Sequence, residues 1–257
     1  MKAYEKVKNA RKSDRPMTGY YIENMISDFI ELHGDRRFKD DSAIIAGIGF
    51  LGNMPVTVIG MERGKSLQDR IKRNFGCPSP DGYRKALRLM KQAEKYKRPV
   101  ICFIDSSGAY CGIDAEERGQ GEAIAENLME MMTLKTPIVS VVIGEGGSGG
   151  ALALGVADNV IMLENSVYSV ISPEGCATIL WKDSSKADEA AEILKITANE
   201  LCRFNIVDDV IEESEKTSEE VCAELKEKIV QSIKKSSSMS VYDMLEKRYY
   251  KYRNIGA

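Results

Sequence analysis

The chain has 257 residues, 43% of them hydrophobic and 29% charged, a balance that suits a soluble globular protein and argues against disorder. No apolar run reaches the roughly 18 residues of a membrane span, and the basic stretch Met1 to Arg15 leads into no apolar segment of the secretory type. A formal net charge of -3, with both signs spread along the chain, gives no basic field of the kind that nucleic acid requires.

In chain order, Ile22, Met25, Ile26, Phe29 and Ile30 recur at three- and four-residue steps and predict a helix over Tyr20 to Leu32. It ends a helical lead-in over residues 1–30. A polar loop follows at His33 to Arg36, then two strands, Ala43 to Phe50 and Pro55 to Gly60, joined by a hairpin at Gly52-Asn53. Met61 to Gly82 reads as a long ordered loop carrying Arg63, Lys65, Arg70, Lys72 and Arg73; such loops are usually functional. A helix is expected over Tyr83 to Tyr96, with a second basic group at Arg84, Lys85 and Arg88.

Pro99 to Ile104 is then a short apolar strand. It ends in a glycine turn, Ser107 to Gly112, before a helix over Ala115 to Leu134. The pattern repeats: strand Pro137 to Ile143, turn Gly144 to Gly150, a small-residue helix from about Gly150, and strand Asn159 to Met162. That alternation predicts an α/β fold with parallel strands and helical crossovers. Residues 186–257 form a helical C-terminal region, with helices over Ala187 to Phe204, Ser218 to Lys235 and Val241 to Tyr252. No long linker interrupts the chain, so one domain over residues 1–257 is expected. The six cysteines include no C-x-x-C pair, so no metal site is predicted, and they read as reduced thiols of a cytoplasmic protein.

Strands that end in glycines and feed helices expose unpaired backbone N–H groups. Such donors, aimed at one point, bind an anion or a developing oxyanion. Two turns give two holes, or one hole built from both. The second turn holds five glycines in seven residues, an entropic cost that makes an idle role unattractive. Tight turns and close helix–strand packing are the plainer account of Gly108 and Gly112.

Three other chemistries compete. A phosphate loop would need Gly-Lys-Ser/Thr, and no lysine follows Gly150. Gly144 to Gly149 fits a dinucleotide fingerprint literally, with Glu164 as the acidic residue about 20 positions on. Gly146-Gly147-Ser148-Gly149-Gly150 fits a hydrolase elbow, but the only histidine, His33, precedes the serine, which leaves a Ser-Lys variant. His33 lies beside Asp35 and Arg36, where holding the loop is a commoner role than catalysis.

The residues are more specific than their spacing. Glu31 to Arg36, Arg73 to Gly76, Gly82 to Met90, Ala115 to Gln120, Gly144 to Leu152 and Tyr168 to Ala177 together resemble the alpha carboxyltransferase subunit of bacterial acetyl-CoA carboxylase. The matches run in the family's order over about residues 29 to 210. Departures exist. Cys111 stands where proline is usual, and Ser106-Ser107 where Thr-Pro is usual, which removes some rigidity from the first turn. Longer members carry a further N-terminal helical segment, and Glu213 to Glu220 replaces a Gly-Gly-Ala-His-like stretch; short forms of the subunit exist.

The resemblance implies a crotonase-like spiral of strand-strand-helix units. It also implies half an enzyme: a beta subunit would bring a second glycine hole and a zinc ribbon, in an α2β2 assembly served by a biotin carboxyl carrier protein and biotin carboxylase. No cofactor is expected to be bound covalently here; carboxybiotin and acetyl-CoA are the substrates, and malonyl-CoA the product that opens fatty acid synthesis. The implied catalytic donors are the backbone N–H groups of Gly146 and Gly147 and of Gly108 and Ala109. Tyr110, Ser148, Gly149, Gly150, Arg63 and Arg73 are the expected substrate-binding residues. The arginine loop has two readings, contact with coenzyme A phosphates or acidic protein surface, or charges that face solvent. Tyr110 likewise packs on biotin or in the core. Alternatives are a sister carboxyltransferase or decarboxylase subunit for another acyl-CoA, or a non-catalytic scaffold for a beta subunit.

Overall fold

A computed structural model describes residues 1–256. The chain opens with helices α1 (Ala3–Ala10) and α2 (Thr18–Met25), then strands β1 (Ile26–Glu31), β2 (Ile44–Leu51) and β3 (Met54–Met61). Helices α3 (Leu67–Lys72) and α4 (Pro80–Lys95), strand β4 (Val100–Ser106), and helices α5 (Ile113–Glu117) and α6 (Gln120–Thr133) follow. Next come β5 (Ile138–Gly147), α7 (Ser148–Leu152), β6 (Asn159–Leu163), β7 (Val167–Ser169), α8 (Pro173–Trp181), α9 (Ala187–Leu194) and α10 (Ala198–Arg203). Strand β8 (Asp209–Ile211) and helices α11 (Ser218–Ser237) and α12 (Val241–Arg253) complete the described residues.

The sheet order is β1-β2-β3-β4-β5-β6-β8, with β7 paired to the far end of β5. The first three strands are antiparallel; from β3 onward every pairing is parallel. Strand β4 is buried along its whole length, as a central strand covered on both faces should be. Its side chains alternate. Val100, Cys102 and Ile104 join α4, α6 and α10 on one face, while Ile101 and Phe103 meet α2 and α11 on the other.

Several boundaries differ from those expected. The helix over Tyr20 to Leu32 stops at Met25, and its second half is the edge strand β1. Gly47 and Gly49 of β2 make room for it: a Cβ at Gly47 would lie 2.2 Å from the Ile30 carbonyl oxygen. The long loop after Met61 contains α3, capped by Ser66, whose hydroxyl accepts the Asp69 N–H. The helix over Ala115 to Leu134 breaks at Gly119 (φ 80°), and that over Ala187 to Phe204 breaks at Lys195 (φ 54°). The short elements β7, α8 and β8 were not expected at all. The second glycine segment is strand, not turn, as far as Gly147.

The second basic group holds a loop in place. Lys85 is fully buried, and its ammonium lies 2.7 Å from Asp40 Oδ1 and from the carbonyl oxygens of Asp41 and Ile44. Arg84 pairs with Asp35 and Asp81, and Arg88 donates to the Gly34 carbonyl. Residues 33–41 are thus tied to α4, with exposed His33 bonded through Nδ1 to Asp40 Oδ2 at 3.0 Å. Lys85→Met is expected to cost about 2–4 kcal/mol, because it removes three charge-assisted hydrogen bonds from a buried position. Urea unfolding measures it.

Two arginines of the N-terminal segment tie that segment to the end of β5. Arg11 pairs with Glu145 and Glu174, both at 2.7 Å. Arg15 donates to the Ile143 carbonyl at 2.7 Å and pairs with Glu213 at 2.8 Å.

Candidate active site

Strands β4 and β5 run in register until their ends. Ile104 faces Val142, yet Ser106 faces Gly146, so β5 carries two additional residues there. The Asp105 side chain fills the space they create. A Cβ at Gly144 would lie 2.2 Å from Asp105 Oδ1, which accepts the Glu145 N–H at 3.0 Å. Burial pushes Asp105 up to about 6, against the pull of Arg63, whose Nε lies 2.8 Å from Oδ2.

Beyond this point the two glycine segments touch. A Cβ at Gly147 would stand 2.1 Å from the Ser107 carbonyl oxygen; one at Gly150 would stand 2.5 Å from the Ala109 nitrogen and 2.9 Å from the Tyr83 hydroxyl. Only glycine allows this approach. Gly146 is buried, registered against Ser106 on one side and Tyr168 on the other. The accessible part of the second segment is therefore the Gly147-Ser148 junction, where Ser148 is exposed with φ 53°.

The expected donors divide accordingly. Gly108 already gives its N–H to Ser106 Oγ at 3.1 Å, and the same hydroxyl donates to the Gly108 carbonyl at 2.6 Å. Its proposed part as a donor to substrate is corrected on that ground. The Ala109 N–H has no acceptor among the described residues.

Two cavities flank the junction. One of about 190 Å³ is bounded by Arg11, Ser13, Met17, Arg63, Arg70, Phe75, Ser107 and Glu145. The other, of about 320 Å³, is mostly apolar: Leu152, Tyr168, Val170, Leu194, Ile196, Leu201 and Ile206, with Ser148 and Gly149 at its rim. Arg63, Ser148, Gly149 and Gly150 thus lie around the junction. Arg73 does not join them: it is committed to Asp69 and to the Ser42 carbonyl. Tyr110 lays its ring on Gly112, and its carbonyl accepts from Gln120. Asp105 and the apolar wall around Val170 and Ile196 were not anticipated. An ionisable residue ending the apolar run Val100 to Ile104 was the available signal for Asp105.

The competing chemistries lose their parts. No histidine or lysine lines the apolar cavity that Ser148 borders, or the small cleft between Ser107, Gly147 and Pro173 that it also borders, so a hydrolase would lack its base. Glu164, the candidate ribose ligand, is occupied by the Glu213 and Ser214 N–H groups and by Lys6. Gly144 to Gly147 are strand, whereas a dinucleotide fingerprint needs a strand-to-helix turn.

Residues 1–256 match the family described as acetyl co-enzyme A carboxylase carboxyltransferase-like. The chain belongs to that family. It is 58% identical over 256 residues to the acetyl-coenzyme A carboxylase carboxyl transferase subunit alpha of Ruminiclostridium cellulolyticum, covering 100% of this chain and 98% of that one. A relative in Natranaerobius thermophilus, named as subunits beta/alpha, is 56% identical over 257 residues; the match takes 98% of this chain and 42% of that one. Among solved structures, transcarboxylase 12S superposes with a TM-score of 0.73 at 17% identity, covering 90% of this chain and 44% of its own. A Pseudomonas malonate decarboxylase hetero-tetramer in complex with coenzyme A gives 0.65 at 15% identity, covering 82% and 86%. These likenesses bear out the crotonase-like α/β class. Among the described residues no helix is long and apolar enough to cross a membrane.

Proposed function

We propose that the chain is the alpha half of an acetyl-CoA carboxylase carboxyltransferase, moving a carboxyl group from carboxybiotin to acetyl-CoA. The observation that carries this reading is the contact of Gly147 and Gly150 with Ser107 to Ala109, a backbone donor site whose neighbouring carboxylate, Glu145, is held by Arg11, in a chain of this family. The N–H group of Ala109, held against Gly150 beside the Gly147-Ser148 junction, polarises the ureido oxygen of carboxybiotin. As its N–carboxyl bond breaks, the electron pair moves toward that oxygen and CO2 departs. Donors fixed in advance stabilise this charge more than they stabilise the ground state. The biotin anion then takes a proton from the acetyl methyl group, and the enolate attacks CO2.

The second hole, for the thioester enolate, belongs to a beta subunit with its own zinc ribbon. The assembly is α2β2 and works in the cytoplasm with a biotin carboxyl carrier protein and biotin carboxylase. Arg63, which lines the cleft beside Ser107 together with Arg70 and Arg11, is placed to meet an anionic group; Arg73 and Tyr110 serve the loops they hold.

The test is malonyl-CoA-dependent carboxylation of biocytin by this chain co-purified with its beta partner, with each subunit alone as control. Activity is expected only in the mixture. Turnover of methylmalonyl-CoA or glutaconyl-CoA alone would assign a sister enzyme. A stable complex inert with every acyl-CoA would make the chain a scaffold.

A further inference from the structure

Building on that reading, we propose that Asp105 is a positioning residue for carboxyl transfer: wedged between the ends of β4 and β5, it fixes the peptide that leads into Gly146-Gly147. The strand register is built around it, since β5 gains its two residues where Asp105 stands. Position 144 is built around it as well, having no room for even a methyl group beside the carboxylate. Oδ1 holds the Glu145 N–H, one residue before Gly146.

Oδ2 is buried and accepts no hydrogen bond; Arg63 Nε is 2.8 Å away, but its N–H is not aimed at the oxygen. A buried carboxylate satisfied on one side alone costs stability. Its presence is better accounted for by what it orients than by what it stabilises. The charged groups that face it are Arg63 from the segment after β3, Arg15 from the segment between α1 and α2, and Glu145 on β5. Glu145 is itself held by Arg11.

The experiment compares wild type, Asp105→Asn and Asp105→Ala as complexes with the beta subunit, in the biocytin assay across pH 5 to 8. Asparagine, a permanently uncharged stand-in, is expected to lower kcat about tenfold while KM for malonyl-CoA stays within about two-fold, since only positioning is lost. Alanine, which removes the acceptor as well, is expected to lower kcat about 100-fold. Wild-type activity should fall as pH drops through about 6, where Asp105 takes up its proton. The asparagine variant should lack that limb. An asparagine variant with wild-type kcat and an unchanged acid limb overturns the inference. If the alanine variant fails to fold, the pH profile of the asparagine variant decides alone. An inert wild-type complex removes the proposed function, and this inference with it; an active wild type with indifferent variants removes this inference only.

Discussion

Gly147→Ala, co-purified with the beta subunit, should lose about 100-fold or more in turnover while still forming the complex. The added methyl group would stand 2.1 Å from the Ser107 carbonyl oxygen and 2.3 Å from its carbon. Both are backbone atoms of the facing turn, so no side chain can swing aside. One turn must move by about an ångström, and a displacement of that size costs on the order of 100-fold when preorganised donors are involved. Under the proposed function, in which the beta subunit holds the acyl-CoA, the loss should fall on kcat. Gly121→Ala is the matched control: on α6, its methyl group would meet nothing within 4 Å. Equal activity of the two variants would mean that the contact between the turns does not set the donors.

The largest loss of stability is expected from Arg248→Met. Arg248 of α12 is buried, with two nitrogens 2.8 Å from the Asp158 carboxylate. It also donates to the carbonyls of Met131, Leu134 and Thr136, and Asp158 in turn accepts the Ile138 N–H at the start of β5. Methionine fills similar space but strands one carboxylate and three carbonyls. Breaking a buried pair on one side costs about 3–5 kcal/mol, or about 10 °C in Tm for a chain of this length. Calorimetry and urea titration of the variant measure it. A loss below about 1 kcal/mol would mean that α12 is held by its apolar contacts instead.

The parallel half of the sheet was legible because β4, β5 and β6 are apolar strands separated by helical spacing and glycine punctuation. The pair of glycine segments stood out for the same reason. Their contact did not, because Gly147 and Ser107 are 40 positions apart and only the packing of β4 beside β5 joins them. The helix expected through Leu32 failed for a physical reason. Ile26 to Glu31 carries β-branched and aromatic residues that suit either period, and two glycines of β2 decided in favour of an edge strand. Arg63 and Arg73 looked equivalent in sequence, yet one faces the cleft and the other is tied to Asp69. Charge alone does not say which way a side chain turns.

The arginines that bind the N-terminal segment to β5 also set an order of assembly. Arg15 and Glu213 pair across 198 positions, and Arg11 reaches Glu174 across 163. At a synthesis rate of about 5–20 residues per second, Arg15 leaves the ribosome roughly 10 seconds or more before its partner exists. The stretch made early can therefore dock on β5 through Ile143 and Glu145 as soon as that strand exists, but it gains its last two ties, to Glu174 and Glu213, only later.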